Sequence, residues 1–127
     1  MSPRILCIED NSDNMLLAQR AIQALGYVFI PAMNGETGLE IAARELPDVI
    51  LLDINLPDID GYAVAARLRS SENQALANIP IIAITANALR GDAEKVLAAG
   101  CDIYMSKPIN IQELMTRVQT LCEKKSE

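Results

Sequence analysis

The sequence predicts an α/β domain, a parallel β-sheet with helices packed on both faces. Three observations carry that expectation. Short runs of branched apolar residues alternate with amphipathic helical patterns along the chain. The connections are short, which suits strand–helix–strand units. The run Asp48–Asp53 (DVILLD) is almost wholly apolar, as a central parallel strand covered on both faces should be.

The elements follow in order. Arg4–Glu9 (RILCIE) reads as a buried strand. Asn11 or Ser12 caps a helix running to Leu25, where Gly26 is the expected stop. Tyr27–Ala32 is a second strand, and Thr37–Leu46 a helix ended by Pro47. Asp48–Asp53 is the third strand. The turn-rich Pro57-Asp58-Ile59-Asp60-Gly61 leads into a helix over Tyr62–Ser70. A polar loop follows to Asn78. Pro80–Thr85 (PIIAIT) is the fourth strand, Asp92–Ala99 a short helix before Gly100, and Ile103–Ser106 the fifth strand. Asn110 stands three residues before Glu113, the spacing of a capping box with Asn in the Ser/Thr place. After it, Ile111, Leu114, Met115, Val118, Leu121 and Cys122 share one helical stripe. Lys124-Lys125-Ser126-Glu127 reads as a frayed tail, and no residues remain for an effector domain.

A chain of 127 residues suits one compact domain that needs no disulfide or structural metal. Hydrophobic residues make up 50% and aromatics 3%, so the core is built from Leu, Ile, Val and Ala. A net charge of −6 argues against a nucleic-acid partner, which needs a basic face. Cys7, Cys101 and Cys122 are odd in number and far apart, so they read as small buried hydrophobes. No signal-peptide pattern follows Met1, and the apolar runs are too short to cross a bilayer. A cytoplasmic setting is expected.

In an open α/β sheet, ligands bind beyond the carboxyl ends of the strands, where strand order reverses. The first strand ends in Glu9-Asp10 and the third in Asp53. If these strands are neighbours, they lie roughly 5 Å apart and three carboxylates crowd one pocket. Like charges that close disfavour joint ionisation unless a cation sits among them. Oxygen-only donors select a hard cation, Mg²⁺ or Mn²⁺. The chain has no histidine, which removes most transition-metal sites. Taken alone, Asp10 is more readily a helix cap than a ligand. The coincidence with Asp53 favours the metal reading. The fourth strand ends in Thr85, whose hydroxyl suits an oxyanion. Lys107-Pro108 follows the fifth strand, bringing a point positive charge to the same rim.

This set resembles the receiver domain of two-component response regulators along essentially the whole chain. The resemblance rests on Glu9-Asp10 after the first strand, Asp53 within DINLPDIDGY, Thr85-Ala86 after PIIAI, and Lys107-Pro108 within YMSKP. It implies a flavodoxin-like, doubly wound five-stranded sheet of order 2-1-3-4-5. It also implies a single receiver domain over residues 1–127, of the free-standing, chemotaxis-regulator-like kind. By the same resemblance Asp53 is the phosphoacceptor, attacking a phosphohistidine on a sensor histidine kinase or phosphotransfer protein. Asp10 ligates the metal directly and Glu9 through water. Asp53 supplies a carboxylate oxygen and Asn55 its backbone carbonyl. Lys107 balances charge on the phosphoryl oxygens, and the small Ala86 leaves room for the donor.

Thr85 and Tyr104 match the switch pair of such domains. The hydroxyl of the first moves toward the phosphoryl group, and the aromatic ring of the second turns inward. The fourth helix, fifth strand and fifth helix form the output surface for a downstream protein. Asn55 and Asn87 border the site and tune water attack. The Lys107–Pro108 peptide bond is expected to be cis. The implied protein is a monomer or weak dimer that catalyses only its own phosphorylation and dephosphorylation, with no nucleic-acid or membrane partner.

Four other readings compete. A receiver excised from a hybrid kinase or phosphorelay protein has the same residues. The start at Met1, the early first strand and the short charged tail favour the free-standing form. A haloacid-dehalogenase-like phosphatase needs an acid two residues after its nucleophile, where this chain has Asn55. A nucleotide- or flavin-binding module needs a glycine-rich phosphate loop, where this chain has the acidic Asp10-Asn11-Ser12-Asp13. A purely structural interaction domain would not need all five site residues intact.

Overall fold

The structure, a computed structural model, describes residues 2–86 and 93–126. Its strands are β1 (Arg4–Ile8), β2 (Val28–Ala32), β3 (Val49–Asp53), β4 (Ile81–Thr85) and β5 (Ile103–Ser106). Its helices are α1 (Ser12–Ala24), α2 (Gly35–Glu45), α3 (Gly61–Arg69), α4 (Gln74–Ala77), α5 (Ala93–Ala98) and α6 (Ile111–Ser126). The sheet is parallel, with order β2-β1-β3-β4-β5. The expected doubly wound topology is therefore present.

Alternation along the strands builds two cores. Ile5, Cys7, Val49, Leu51, Ile82 and Ile84 face one side and pack with α1 and α6 through residues such as Ile22, Leu114 and Val118. Leu6, Ile8, Ile50, Leu52, Ile81 and Ala83 face the other, against Ala42 of α2, Val64 and Leu68 of α3, and Val96 of α5. Every residue of β3 and β4 is buried, which explains why DVILLD carries no polar alternation. Each fully buried Ile or Leu contributes roughly 1.5–3 kcal/mol, so these strands hold much of the stability.

Helix starts follow local chemistry. Asn11 caps α1 by accepting from the Asn14 N–H at 3.0 Å. Asn110 accepts from the Glu113 N–H at 2.9 Å. Asn34 caps α2 at the Thr37 N–H, 2.9 Å away, so this helix starts at Gly35, ahead of the expected Thr37. The segment expected to be a polar loop contains the single-turn helix α4, capped by Asn73. The expected frayed tail is instead helical as far as Ser126. Among the described residues no helix is long and apolar enough to cross a membrane. All three cysteines are buried.

Candidate functional site

β1 and β3 are neighbours, with Ile8 registered against Leu52. They flank the point where strand order reverses, because β2 lies on the far side of β1. Glu9 and Asp10 therefore leave the sheet beside Asp53, the last residue of β3. One oxygen from each of these three carboxylates lies within 4.8 Å of the others. β4 delivers Thr85 next door, since Asp53 pairs with Ile84. The Lys107 N–H donates to the Thr85 carbonyl at 2.8 Å, which holds the chain after β5 against the end of β4. The Lys107–Pro108 peptide bond is cis. The Lys107 ammonium reaches across to Asp53 Oδ1 at 3.1 Å and Glu9 Oε1 at 3.8 Å.

Glu9, Asp53 and Thr85 are the buried polar or charged residues among those described, at 2%, 1% and 1% exposure. The buried polarity of the domain is thus gathered in one place, where an unsatisfied group is costly. Asp53 Oδ1 also accepts from the Asn55 N–H at 3.0 Å. Glu9 Oε2 accepts from the Asn11 N–H at 3.3 Å. With both carboxyls ionised, Glu9 Oε1 and Asp53 Oδ2 accept no hydrogen bond.

That imbalance sets the acidities. Burial first, then the Asp53 carboxyl beside it, pushes Glu9 up to about 8, against the pull of the Asn11 N–H and Lys107. Burial also acts to raise Asp53. A proton shared from Glu9, the Asn55 N–H and the Lys107 ammonium outweigh it and hold Asp53 below the ordinary carboxylate range. Burial and the two nearby carboxylates raise the Cys7 thiol far above its usual range, so it stays protonated and inert.

An all-oxygen donor set with two orphaned buried oxygens fits a hard divalent cation. Within the cluster Asp10 is exposed, while Glu9 and Asp53 are buried. Ala86 is exposed at the rim. Asn87 lies outside the described residues. Tyr104 on β5 is 39% exposed. It lines an open groove of about 440 Å³ together with Leu97, Glu113 and Arg117.

Two contributors were not singled out from the sequence. Asp58 in the loop after β3 accepts from the N–H groups of Gly35 and Glu36, which starts α2. Gly61 opens α3 so close to the loop that a Cβ there would lie 2.5 Å from Ile54 Cα and 2.8 Å from the Asp53 carbonyl oxygen. The turn signal in PDIDG marked both positions without indicating what they touch.

The fold and site together define a doubly wound domain with an acidic cluster and an adjoining lysine at its switch point. Residues 5–119 match the response regulator receiver domain, and the chain belongs to that family of two-component signalling domains. It is 38% identical over 120 residues to the polar-differentiation response regulator DivK of Brucella anthropi, covering 94% of this chain and 96% of that one. It is 37% identical, with a TM-score of 0.86, to the receiver domain of a sensor histidine kinase of Pseudomonas aeruginosa. That match covers 95% of this chain and 98% of the other, which carries a magnesium ion coordinated in its active site cleft. The receiver domain of a Francisella response regulator is 26% identical with a TM-score of 0.88, over 98% and 99% of the two chains.

Proposed function

We propose that this receiver accepts a phosphoryl group onto Asp53 from a phosphohistidine of a sensor kinase or phosphotransfer protein, in an Mg²⁺-dependent reaction. The observation that carries the reading is the convergence of Glu9, Asp10 and Asp53 within 4.8 Å, with Lys107 Nζ 3.1 Å from the Asp53 carboxylate. Residues 1–127 are read as one receiver unit, supported by the family match over 5–119.

Glu9, Asp10, Asp53 and the Asn55 backbone carbonyl would hold Mg²⁺, which supplies positive charge against the acids and the phosphoryl oxygens. The lowered pKa of Asp53 keeps it an ionised nucleophile. A carboxylate oxygen forms the new O–P bond as the P–N bond of the donor breaks, and the electron pair leaves on the imidazole nitrogen. Lys107 offsets charge on the phosphoryl oxygens, and Thr85 offers a hydroxyl at the same rim. Catalysis is then positioning and electrostatics, confined to the chain's own phosphorylation and dephosphorylation. Tyr104 on β5 moves inward when Thr85 shifts. That reshapes the surface of α5, β5 and α6 for a downstream protein.

Intact-mass analysis after incubation with acetyl phosphate and Mg²⁺ tests this. One phosphoryl adduct is expected on the wild type and none on Asp53→Asn or in the presence of a chelator. Lys107→Ala is expected to bind the metal yet signal poorly. Labelling of another residue would remove Asp53 from its role. A second reading, a receiver segment of a hybrid sensor kinase, is favoured by the 37% identity to one such segment. The mass of the native protein from cells separates the two.

A further inference from the structure

The segment between Asp53 and α3 carries Asn55, whose N–H donates to Asp53 Oδ1 at 3.0 Å. Its base is closed by the Ile54 N–H on the Ile84 carbonyl at 3.1 Å and the Gly61 N–H on the Ile54 carbonyl at 3.0 Å. Leu56 and Ile59 pack only partly buried against the core. What ties the tip to another element is Asp58. Its Oδ1 accepts from the Gly35 N–H at 2.8 Å and its Oδ2 from the Glu36 N–H at 2.9 Å, more than twenty residues away in the chain. The start of α2 lies directly on this loop. A Cβ on Gly35 would meet Ile59 Cβ and Val64 Cγ2 at 3.2 Å and Asp58 Oδ1 at 3.3 Å.

We infer that Asp58 is a positioning residue: by clasping the start of α2 it holds the loop so that the Asn55 backbone stays in register with the Asp53 carboxylate. The inference rests on the proposed reading of Asp53 as a metal-dependent phosphoacceptor. The physical reason is charge-assisted bonding. A carboxylate facing two unsatisfied N–H groups and the positive end of the α2 dipole is a strong two-point anchor. Consistent with this, the Glu36 and Gly35 N–H groups hold the Asp58 carboxyl below its ordinary range although the side chain is exposed. An outer group that fixes a metal ligand commonly carries ten- to a hundredfold in metal affinity.

The competing role is a helix cap and nothing more. Asn34 supplies the control, because its side chain caps the same helix through a hydrogen bond to Thr37, within the start of α2 itself. Mg²⁺ affinity by calorimetry and hydrogen exchange at the Asn55 amide should be compared in wild type, Asp58→Ala, Asp58→Asn and Asn34→Ala. Asp58→Ala is expected to weaken Mg²⁺ binding about tenfold and speed Asn55 exchange, while Asn34→Ala leaves both near wild type. Asp58→Asn, retaining one acceptor oxygen, should recover part of each. If Asp58→Ala and Asn34→Ala behave alike in both readouts, Asp58 is only a cap and the inference fails. A wild type that binds no Mg²⁺ would sink the functional reading instead. The Asn55 exchange rates, read without metal, would still support or overturn the positioning of the loop.

Discussion

Where the strands begin, half-exposed polar groups are answered bond for bond; where they end, buried ones are left open. At the first end Arg69, the last residue of α3, donates from Nε to the Gly100 carbonyl at 2.7 Å. Its Nη1 reaches the Ala77 and Ile79 carbonyls at 2.8 and 2.7 Å, and Nη2 the Asp102 carboxylate at 2.7 Å. Asp102 in turn accepts from the Ile81 N–H at 2.8 Å. One guanidinium thus ties α3 to the approaches of β4 and β5. At the other end Lys107 faces two buried carboxylates at 3.1 and 3.8 Å, and one oxygen of each accepts no hydrogen bond. The lesson is a division of labour. The satisfied end contributes stability, while the open end keeps buried carboxylate oxygens unanswered, as the proposed cation and phosphoryl site requires.

The sharpest way to test that division is Arg69→Met, which keeps the apolar stem and removes every donor. The substitution strips partners from three carbonyls and a carboxylate. Urea unfolding should show a loss of about 3 kcal/mol, since hydrogen bonds from charged groups contribute about 1.5–3 kcal/mol each and do not add fully. Mg²⁺ affinity of the folded protein should stay near the wild-type value. If affinity fell in step with stability, the two ends would be one cooperative unit and the comparison would break.

Gly61→Ala attacks the open end through packing. Its new Cβ would press on Ile54 Cα and the Asp53 carbonyl oxygen, backbone atoms with nowhere to go. Overpacking of this kind costs about 2 kcal/mol. Here the loss should come with slower acetyl phosphate labelling of Asp53 at saturating Mg²⁺, because the shift occurs beside the proposed acceptor. A variant equally destabilised but labelled at the wild-type rate would show that α3 does not set the acceptor geometry.

The same contrast decides what could be read from the sequence. Strand ends are fixed points of a doubly wound topology. Glu9-Asp10, Asp53, Thr85 and Lys107 could therefore be placed on one rim from their positions after apolar runs. β3 was legible because its composition has no polar face. What escaped was non-local. Arg69 and Asp102 stand 33 residues apart, and nothing in either neighbourhood marks the other. The two residues of α2 ahead of Thr37 take their N–H partner from Asp58, so no local pattern announces them. Helix α4, spanning Gln74–Ala77, is barely one helical turn, too short for a hydrophobic stripe to repeat, and sits in a polar stretch.

The smallest expected change per step is that of a single pH unit, and it isolates the open end most cleanly. Glu9 is raised from 4.5 to about 8, chiefly by burial and then by Asp53. The folded state therefore disfavours its ionised form. The stability linked to a protonated Glu9 is full below the unfolded value and is lost as pH climbs toward the folded one. Within that window the metal-free protein should lose about 1.4 kcal/mol per pH unit from this group. Urea unfolding in chelator across the window should show that slope in wild type and in Arg69→Met, and a flatter one in Glu9→Gln. Added Mg²⁺ needs the ionised carboxylates, so it should stabilise the wild type more at the alkaline end than at the acid end. A wild-type slope no steeper than that of Glu9→Gln would mean the buried acids are already balanced without a cation, and the contrast between the two ends would disappear.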